Sequence, residues 1–351
     1  PWNRCRFCPV YKGSKFDLRG VEEIIRDIEA IKAISEGIKE AAWMMGYGDN
    51  MREVAAMLCN QSQYGPCASH VAFWLGTGGK TAFLQDSNTL VMRTPELVQV
   101  IIFLRETIPS LERVTTYGRS HTAARKSVSE LKELKDAGLD RIHIGLETGD
   151  DTLLAYMEKG CTAENHIAGG NKVKAAGISL CEYVMPGLGG KKMSQQHARQ
   201  TAKVLNEIDP HYIRLRTLHV SPAMPLWVNL QDGDFEVQTE DEVVREIAAL
   251  IENLHVTSYL KSDHILNLLM EVEGKMPEDK AKCLGIIDRY LSLADEERLN
   301  FRIGRRAGLY SRLDDLSDSY KHDQIEEAIG RLKAQGSHFE QEILRLKNSF
   351  I

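Results

Sequence analysis

Up to Pro225, the chain alternates between short apolar runs and longer amphipathic stretches. In the short runs apolar residues recur at every second position, which is typical of β-strands, whereas the longer stretches repeat at the helical spacing. A regular alternation of strands and helices predicts parallel βαβ units that close part of a barrel. The predicted strands are 81–85, 114–117, 141–145, 179–185 and 212–217.

Two regions depart from this alternation. A segment at about 35–78 looks helical and is not needed by a minimal βα unit, so we interpret it as a helical insertion. After Pro225 the strand pattern stops, and we predict a barrel domain at 1–231 and a helical C-terminal domain at 232–351. The helices predicted in these two regions are 38–45, 50–60, 68–75, 240–254, 263–270, 277–293 and 324–347.

Composition narrows the kind of protein. Charged residues make up 27% and hydrophobic residues 43% of the 351 positions, as in soluble globular domains. Lys and Arg number 44 against 50 Asp and Glu, and the net charge of −6 argues mildly against binding to nucleic-acid backbone. No apolar run reaches the roughly 18 residues of a membrane span. Of seven cysteines only Cys5 and Cys8 are closely paired, which favours metal chemistry in a reducing compartment, by default the cytoplasm.

The cysteine pair is the first candidate for chemistry. Cys5-Arg6-Phe7-Cys8 places an aromatic residue directly before the second cysteine. Two thiols at this spacing can chelate a metal from one tight loop. Taken alone, the pair fits an iron–sulfur site, a zinc site or an ordinary exposed pair.

This loop resembles the signature of the radical S-adenosylmethionine (SAM) enzymes, in which three cysteines ligate a [4Fe–4S] cluster and SAM binds the remaining iron. The resemblance implies that Cys5 and Cys8 are cluster ligands and that Phe7 packs near the cofactor. The family's first cysteine is missing, since its commonest spacing falls on Pro1 and a longer spacing falls before it. The family's first barrel strand also precedes this loop. We therefore expect the chain to be truncated at its N-terminus.

Further motifs follow in family order through about residue 226, and the resemblance implies an α/β fold with a partial (β/α)6 barrel of parallel strands. Asp86 and Asn88 stand where the family binds the amino group of SAM, although Asp-Ser-Asn is also ordinary turn chemistry. Gly187 and Gly189 stand where the family's backbone runs beside the adenosine, which glycine allows to come close.

The segment 141–147 resembles the family's fourth-strand motif. Strand alternation places its aliphatic side chains on one face and Arg141, His143 and Glu147 on the other, as in a barrel whose lumen holds substrate. The resemblance implies that Glu147 lies near SAM. The alternative is that Glu147 is an N-cap or a surface carboxylate at the start of the helix that begins near Asp150.

Arginines form a second polar group. Arg214 and Arg216 alternate with apolar residues and are predicted to face inward, and Arg119 stands at the end of the strand predicted at 114–117. Inward arginines need an anionic partner, which could be the SAM carboxylate, Glu147 or an acidic substrate group. The alternative is an internal salt bridge.

Another arginine group lies in the C-terminal region. Arg302, Arg305 and Arg306 are interrupted by glycine and flanked by aromatic residues, which does not suit an ordinary exposed helix. Because arginine matches carboxylate and phosphate geometry, we hypothesise that this segment reaches the barrel mouth and binds an anionic part of the substrate. The alternative is a structural latch, with pairing to acids such as Asp314 and Asp315.

The resemblance implies that the reduced cluster cleaves SAM to methionine and a 5′-deoxyadenosyl radical, which abstracts a hydrogen atom from the substrate. Cys181 and Tyr183 are candidate catalytic residues because thiols and phenols form radicals, but packed strand residues are the more common role. The implied partners are a small-molecule, lipid or peptide substrate with an anionic group and an electron donor such as flavodoxin or ferredoxin, while nucleic acid is disfavoured.

Three other functions fit part of the pattern. They are a lyase or phosphate-binding barrel enzyme with an incidental cysteine pair, a non-catalytic iron–sulfur or zinc-stabilised barrel protein, and an RNA-modifying radical SAM enzyme. The polar strand faces argue against a pure scaffold, whose barrel would be filled by aliphatic side chains.

Overall fold

A computed structural model describes residues 2–59, 65–336 and 338–349. Its β-strands form a mostly parallel seven-stranded sheet in sequence order, with β6 and β7 antiparallel to each other. The strands are β1 Thr81–Leu84, β2 Arg113–Gly118, β3 Arg141–Glu147, β4 Ser179–Val184, β5 Tyr212–Leu215, β6 Tyr259–Lys261 and β7 Gly274–Lys275. This is the α/β partial-barrel architecture predicted from the alternating pattern.

Helices follow the strands and make up most of the C-terminal region. They are α1 Val21–Met44, α2 Met51–Cys59, α3 Gly65–Gly76, α4 Thr94–Thr107, α5 Ser120–Arg125, α6 Val128–Asp136, α7 Asp151–Tyr156, α8 Ala163–Ala175, α9 Gly190–Ile208, α10 Leu226–Gln231, α11 Glu240–Glu252, α12 Lys280–Leu291, α13 Asp295–Arg306, α14 Ser319–Ala334 and α15 Phe339–Asn348. Within the described ranges, none of them is long and apolar enough to cross a bilayer.

Local chemistry explains where several elements begin. Ser127 starts α6 and Thr239 starts α11 with capping boxes, in which the hydroxyl accepts from a backbone amide and a glutamate returns the bond. In β3 the aliphatic side chains of Ile142, Ile144 and Leu146 are fully buried, as alternation requires of one strand face.

The chain forms two compact units. The first comprises residues 15–143 and 172–179, and the second comprises 2–14, 144–171 and 180–351, in each case within the described ranges. In the first unit, α2 and α3 pack on α1 around a small apolar core that contains Ala42, Val54 and Ala72. In the second unit, α9 packs on α11, and α13 packs on α14 and α15.

The structure differs from the predicted elements in two regions. Helix α1 runs unbroken through residue 44, where a separate helix at 38–45 was predicted, and Asn60 at the end of the next prediction lies outside the described residues. In the C-terminal region β6 and β7 were not predicted, because strands of three and two residues are too short to show alternation.

Residues 263–270 are not helical, contrary to prediction. Asn267 in this segment accepts from the Thr217 amide at 3.1 Å and donates to the Leu215 carbonyl at 3.1 Å. Its amide group therefore satisfies backbone groups at the last residue of β5 and just after it.

Candidate active site: the cysteine loop and the strand ends

The cysteine loop, residues 2–8, is held by backbone hydrogen bonds within the second unit. The Cys8 amide donates to the Cys5 carbonyl at 3.3 Å and closes a turn. Between the two cysteines, the Arg6 amide donates to the Met157 carbonyl at 3.0 Å, and the Arg6 carbonyl accepts from the Leu226 amide at 2.9 Å. Cys5 and Cys8 therefore lie on a turn that hydrogen bonds to Met157 and Leu226 hold in place.

Trp2 fixes the start of the same loop. Its indole Nε1 donates to the Glu158 carbonyl at 2.9 Å, and its ring lies against Gly160. A Cβ at position 160 would come within 2.3 Å of the ring, and the backbone there has a φ of +69°, so both space and conformation require glycine.

Apolar side chains surround the loop. Cys5 and Phe7 are buried, whereas Cys8 is partly exposed. The buried residues packed with them are Leu153, Met157, Leu188, Leu218, Val220, Leu226 and Phe235. The two thiols consequently lie at the border between a water-excluding core and the surface.

A buried ion pair lies beside the loop. Lys159 Nζ is 2.9 Å from Glu147 Oε1, with about a tenth of each side chain exposed, and 5.4 Å from the centroid of the Phe7 ring. Burial alone would lower the pKa of Lys159, but the charges of Glu147, Cys5 and Cys161 outweigh burial and raise it. Lys159 therefore places a permanent positive charge near the cysteine loop.

Glu147 ends β3 in a left-handed conformation, with a φ of +63°. It is not the cap of α7, because Asp150 fills that role by accepting from the Leu153 amide at 2.8 Å. Gly145 leaves room for the carboxylate, since a Cβ there would lie 2.2 Å from Glu147 Oε1. Of the two roles left open by the sequence, the capping role is excluded.

Glu182 in β4 is a second acid of this region that the sequence analysis did not single out. Its side chain is fully buried, and neither carboxylate oxygen has a hydrogen-bond partner among the described residues. Burial, and secondly the charge of Glu147, raise the pKa of Glu182 well above 4.5, while Lys159 partly opposes them. The protein environment therefore favours the protonated form of Glu182. The sequence signal for this residue was a single acidic residue within the strand β4.

Arg214 and Arg216 form the internal salt bridge that the sequence left open. Both pair with Asp263, Arg216 at 2.9 Å. Although burial favours the neutral acid, hydrogen bonds from the two arginines lower the pKa of Asp263 to about 2. Their need for an anionic partner is met within the chain, and a role in binding SAM stays a prediction.

The candidate radical residues of β4 are packed. Cys181 is buried and pairs in register with Tyr212. Tyr183 is opposite Arg214, and its ring centroid lies 5.0 Å from the guanidinium carbon of Arg216. These contacts fit the packed roles that the sequence analysis considered more common.

The two glycines after β4 differ in what requires them. Gly187 has a φ of +89°, and its amide donates to Glu246 Oε1 at 2.7 Å. At Gly189 a Cβ would come within 2.9 Å of the Met193 backbone, so the protein's own helix α9 requires glycine there.

Asp86, Asn88 and Arg119 lie in the first unit. The Asn88 side chain accepts from the Arg119 amide at 2.9 Å and donates to Thr122 Oγ1 at 2.8 Å. Asn88 thereby joins the end of β1 to the start of α5, which is the turn chemistry considered above. Asp86 is exposed and lines, with largely apolar residues of α1, α3, α4 and β1, a cavity of about 680 Å³ in this unit.

His143 belongs to an aromatic cluster in the first unit. Its ring centroid lies 5.4 Å from Phe83 and 6.2 Å from Tyr117, and the latter two are 4.5 Å apart. These edge and tilted contacts account for a buried histidine without a ligand role.

The arginine-rich segment is a buried helix and not an ordinary exposed one. Arg302, Arg305 and Arg306 lie on α13 and are buried. Arg302 and Arg306 donate to Glu240 at 3.2 and 2.7 Å, and Arg302 also pairs with Glu340 at 2.6 Å. We call Arg302, Arg306, Glu240 and Glu340 the latch.

The latch pairs α13 with α11 and α15, so the structural alternative fits these arginines better than a substrate anchor does. The acids involved are not those suggested from the sequence. Asp314 instead pairs with Arg289 at 2.7 Å, and Asp315 accepts from the Ser311 amide at 2.6 Å.

Of the remaining cysteines, Cys161 lies close enough to Lys159 for its charge to act on that lysine, whereas Cys67 and Cys283 lie on α3 and α12. Cys161 Sγ lies 3.3 Å from Nε2 of the buried His166, and Cys67 is exposed. Burial raises the pKa of Cys283 to about 11. The Cys59 side chain and Pro1 lie outside the described residues. Within those residues no group of three or more His, Cys, Asp or Glu side chains could hold a metal ion.

The fold is an α/β partial barrel, and the cysteine loop adds a turn with two nearby thiols. A family model described as the Radical SAM superfamily matches residues 2–202, which is more than half of the chain. The chain therefore belongs to the radical SAM superfamily, whose enzymes use a [4Fe–4S] cluster and SAM.

Individual relatives are distant. The uncharacterized protein YtqA of Bacillus subtilis (strain 168) is 22% identical over 125 residues, which cover 36% of this chain and 38% of YtqA. Coproporphyrinogen III oxidase (HemN) from Escherichia coli is 13% identical with a TM-score of 0.46, over 71% of this chain and 50% of that one. Elp3 of Methanocaldococcus infernus is 13% identical with a TM-score of 0.42, over 52% and 48%. The chain thus spans about half the length of these proteins or less.

The donor set fits the cluster in part. Cys5 and Cys8 offer two soft thiols on one turn, the ligands that iron–sulfur clusters require. The described residues supply two of the three thiolates of the family.

Proposed function

We propose that this protein is a radical SAM enzyme that cleaves SAM reductively and removes a hydrogen atom from a substrate other than nucleic acid. The observation that supports it most is the fixed cysteine turn beside the Lys159–Glu147 pair, inside the segment matched by the family. When bound, the cluster supplies one electron to SAM, and the carbon–sulfur bond of SAM breaks.

The chain's own residues have three tasks in this proposal. Cys5 and Cys8 provide thiolates, and Lys159 balances their negative charge because its ammonium group keeps its proton. Glu147 presents a carboxylate at the end of β3, where the resemblance implies that the family's acidic residue lies near SAM.

The apolar residues around Cys5 and Phe7 exclude water, which protects a reactive intermediate from side reactions. Cytoplasmic location, an electron donor of the flavodoxin or ferredoxin type, and a small-molecule, lipid or peptide substrate belong to the same proposal. The net charge of −6 supports a substrate that is not nucleic acid.

The test is anaerobic reconstitution of the full-length protein with iron and sulfide. We expect an electron paramagnetic resonance signal of a reduced [4Fe–4S] cluster, and 5′-deoxyadenosine when SAM and a reductant are added. The double variant Cys5→Ala, Cys8→Ala should fold but lose iron and at least about 100-fold in 5′-deoxyadenosine formation, because the thiolates that hold the cluster are gone. Cys67→Ala, which removes an exposed thiol, is the matched control. Unchanged product formation in the double variant would exclude this function for the loop.

A further inference from the structure

A buried histidine–carboxylate pair lies behind the ends of β3 and β4 in the second unit. His197 is on α9 and Glu246 is on α11, and their side chains are each only 2% exposed. His197 Nε2 lies 3.5 Å from Glu246 Oε1. Nothing in the proposed chemistry has used either residue so far.

His197 contacts the chain beyond both strands. Its Nδ1 is 2.8 Å from Thr148 Oγ1, directly after β3, and its Nε2 is 3.2 Å from the Met185 carbonyl, directly after β4. The Met185 amide also donates to the Glu147 carbonyl at 3.0 Å. The two strand ends are therefore bonded to each other and to one imidazole.

The partners determine which nitrogen carries the proton. The Met185 carbonyl and the Glu246 carboxylate only accept hydrogen bonds, so Nε2 must be the donor. The Thr148 hydroxyl already accepts from the Asp150 amide at 3.1 Å and has its own proton free to donate to Nδ1. With its hydrogen on Nε2 and an acceptor at Nδ1, the imidazole ring satisfies every contact that the structure gives it.

Glu246 extends the network to the glycine after β4. Its Oε1 accepts from the Gly187 amide at 2.7 Å, while Oε2 has no partner among the described residues. On the β3 side, Thr201 Oγ1 accepts from the Gly149 amide at 2.9 Å and lies 3.3 Å from His197 Nδ1. A carboxylate buried with one oxygen unpartnered is costly, and such exceptions concentrate at functional sites.

We propose that His197 and Glu246 are positioning residues for SAM binding. By holding Met185, Thr148 and Gly187, the pair fixes the β3 end that carries Glu147 against the β4 end that carries the glycine turn. This inference rests on the proposed function, which assigns Glu147 at the β3 end to SAM, and on the expectation from the sequence that the glycine turn after β4 runs beside the adenosine. Neither side chain touches the reacting atoms in the proposal.

The test compares variants that remove the contacts with variants that keep them. His197→Ala and Glu246→Ala should raise the KM for SAM about tenfold, the effect of losing one buried hydrogen bond to a charged group, with kcat at saturating SAM within about threefold of wild type. Glu246→Gln keeps an acceptor for Gly187, and His197→Gln keeps a donor for Met185. Both should stay close to wild type.

Asn206→Ala is the matched control on the same helix. Asn206 donates to the Asn253 carbonyl at 2.9 Å and accepts from the His255 amide at 2.7 Å. It therefore loses comparable bonds, at a position about 14 Å further along α9. It should lower thermal stability without changing the KM for SAM.

A second readout needs no cofactor. In the apoprotein, amide hydrogen exchange of the peptide covering 185–190 should become at least about tenfold faster in Glu246→Ala and stay unchanged in Asn206→Ala. An equal increase of the KM for SAM in Asn206→Ala would overturn the proposal. An unchanged KM for SAM and unchanged amide hydrogen exchange in His197→Ala and Glu246→Ala would also overturn it. If His197→Ala does not fold, the comparison of Glu246→Ala with Glu246→Gln decides the outcome. A wild-type protein that neither binds nor cleaves SAM would refute the proposed function itself, whereas normal cleavage with unaffected variants would refute only the positioning role.

Discussion

The second unit contains two buried charge clusters that differ in how completely their charges are paired. In the latch, Glu240 accepts from both Arg302 and Arg306, whose charges with that of Lys347 outweigh burial and lower its pKa. Beside the cysteine loop, Lys159 pairs with Glu147, but the nearby Glu182 has no partner among the described residues and a raised pKa.

The difference in charge pairing indicates which cluster stabilises the fold and which contributes to activity. An acid whose charge is fully paired with arginines is not available to bind a ligand. We therefore expect the loss of such a cluster to lower the free energy of unfolding. A cluster that contains an acid without a hydrogen-bond partner among the described residues can still bind or release a proton, so we expect its loss to affect activity. Three variants test this distinction.

The largest effect is expected in the latch. Arg306→Ala leaves Glu240 buried with less compensation, and we expect the free energy of unfolding to fall by about 3–5 kcal/mol. Urea denaturation measures it. Arg289→Ala, which removes an exposed pair with Asp314, should cost under about 1 kcal/mol. Equal losses in the two variants would show that the latch is no more structural than a surface pair.

Lys159→Met should mainly affect activity. Losing one buried charged hydrogen bond to Glu147 and the positive charge near Cys5 should slow 5′-deoxyadenosine formation about 100-fold. The rate is measured per bound cluster, with thermal unfolding recorded in parallel. Lys192→Met, an exposed lysine of α9, is the control. A wild-type rate in Lys159→Met would place this cluster with the latch as purely structural.

Glu182→Gln has the smallest effect, and it depends on pH. Folded Glu182 keeps its proton at pH values where the unfolded residue loses it, so the stability of the wild type falls as pH rises above about 4.5. This contribution amounts to at most about 1.4 kcal/mol per pH unit. The glutamine variant should lack it, so its stability relative to wild type should increase between pH 5 and 7. Parallel pH profiles of unfolding free energy would contradict a protonated Glu182.

The sequence predicted the elements that show a regular pattern. The five predicted strands agree with β1–β5 to within two residues at either end, since half-buried strands show alternation. Ion pairs between residues distant in sequence could not be predicted. Arg306 and Glu240 are 66 positions apart, and nothing local links them. Lys159 was missed because it follows a short helix, outside any periodic pattern.

Candidate ligands were harder to predict than strands. Asn88 was selected from the family resemblance and Arg214 and Arg216 from strand alternation, and the structure pairs all three within the chain. A polar side chain at a strand end can bind a ligand or satisfy the protein's own backbone, and sequence alone does not distinguish these uses.

The backbone hydrogen bonds made by the amide and the carbonyl of Arg6 affect how the proposed iron–sulfur cluster is inserted and lost. Because the Met157 carbonyl and the Leu226 amide order the turn when the chain folds, the entropy of fixing Cys5 and Cys8 is lost before iron arrives. Cluster insertion then starts from an arranged pair of thiols. After oxidative loss of the cluster, the turn should keep its shape, and the emptied protein should accept a new cluster without refolding.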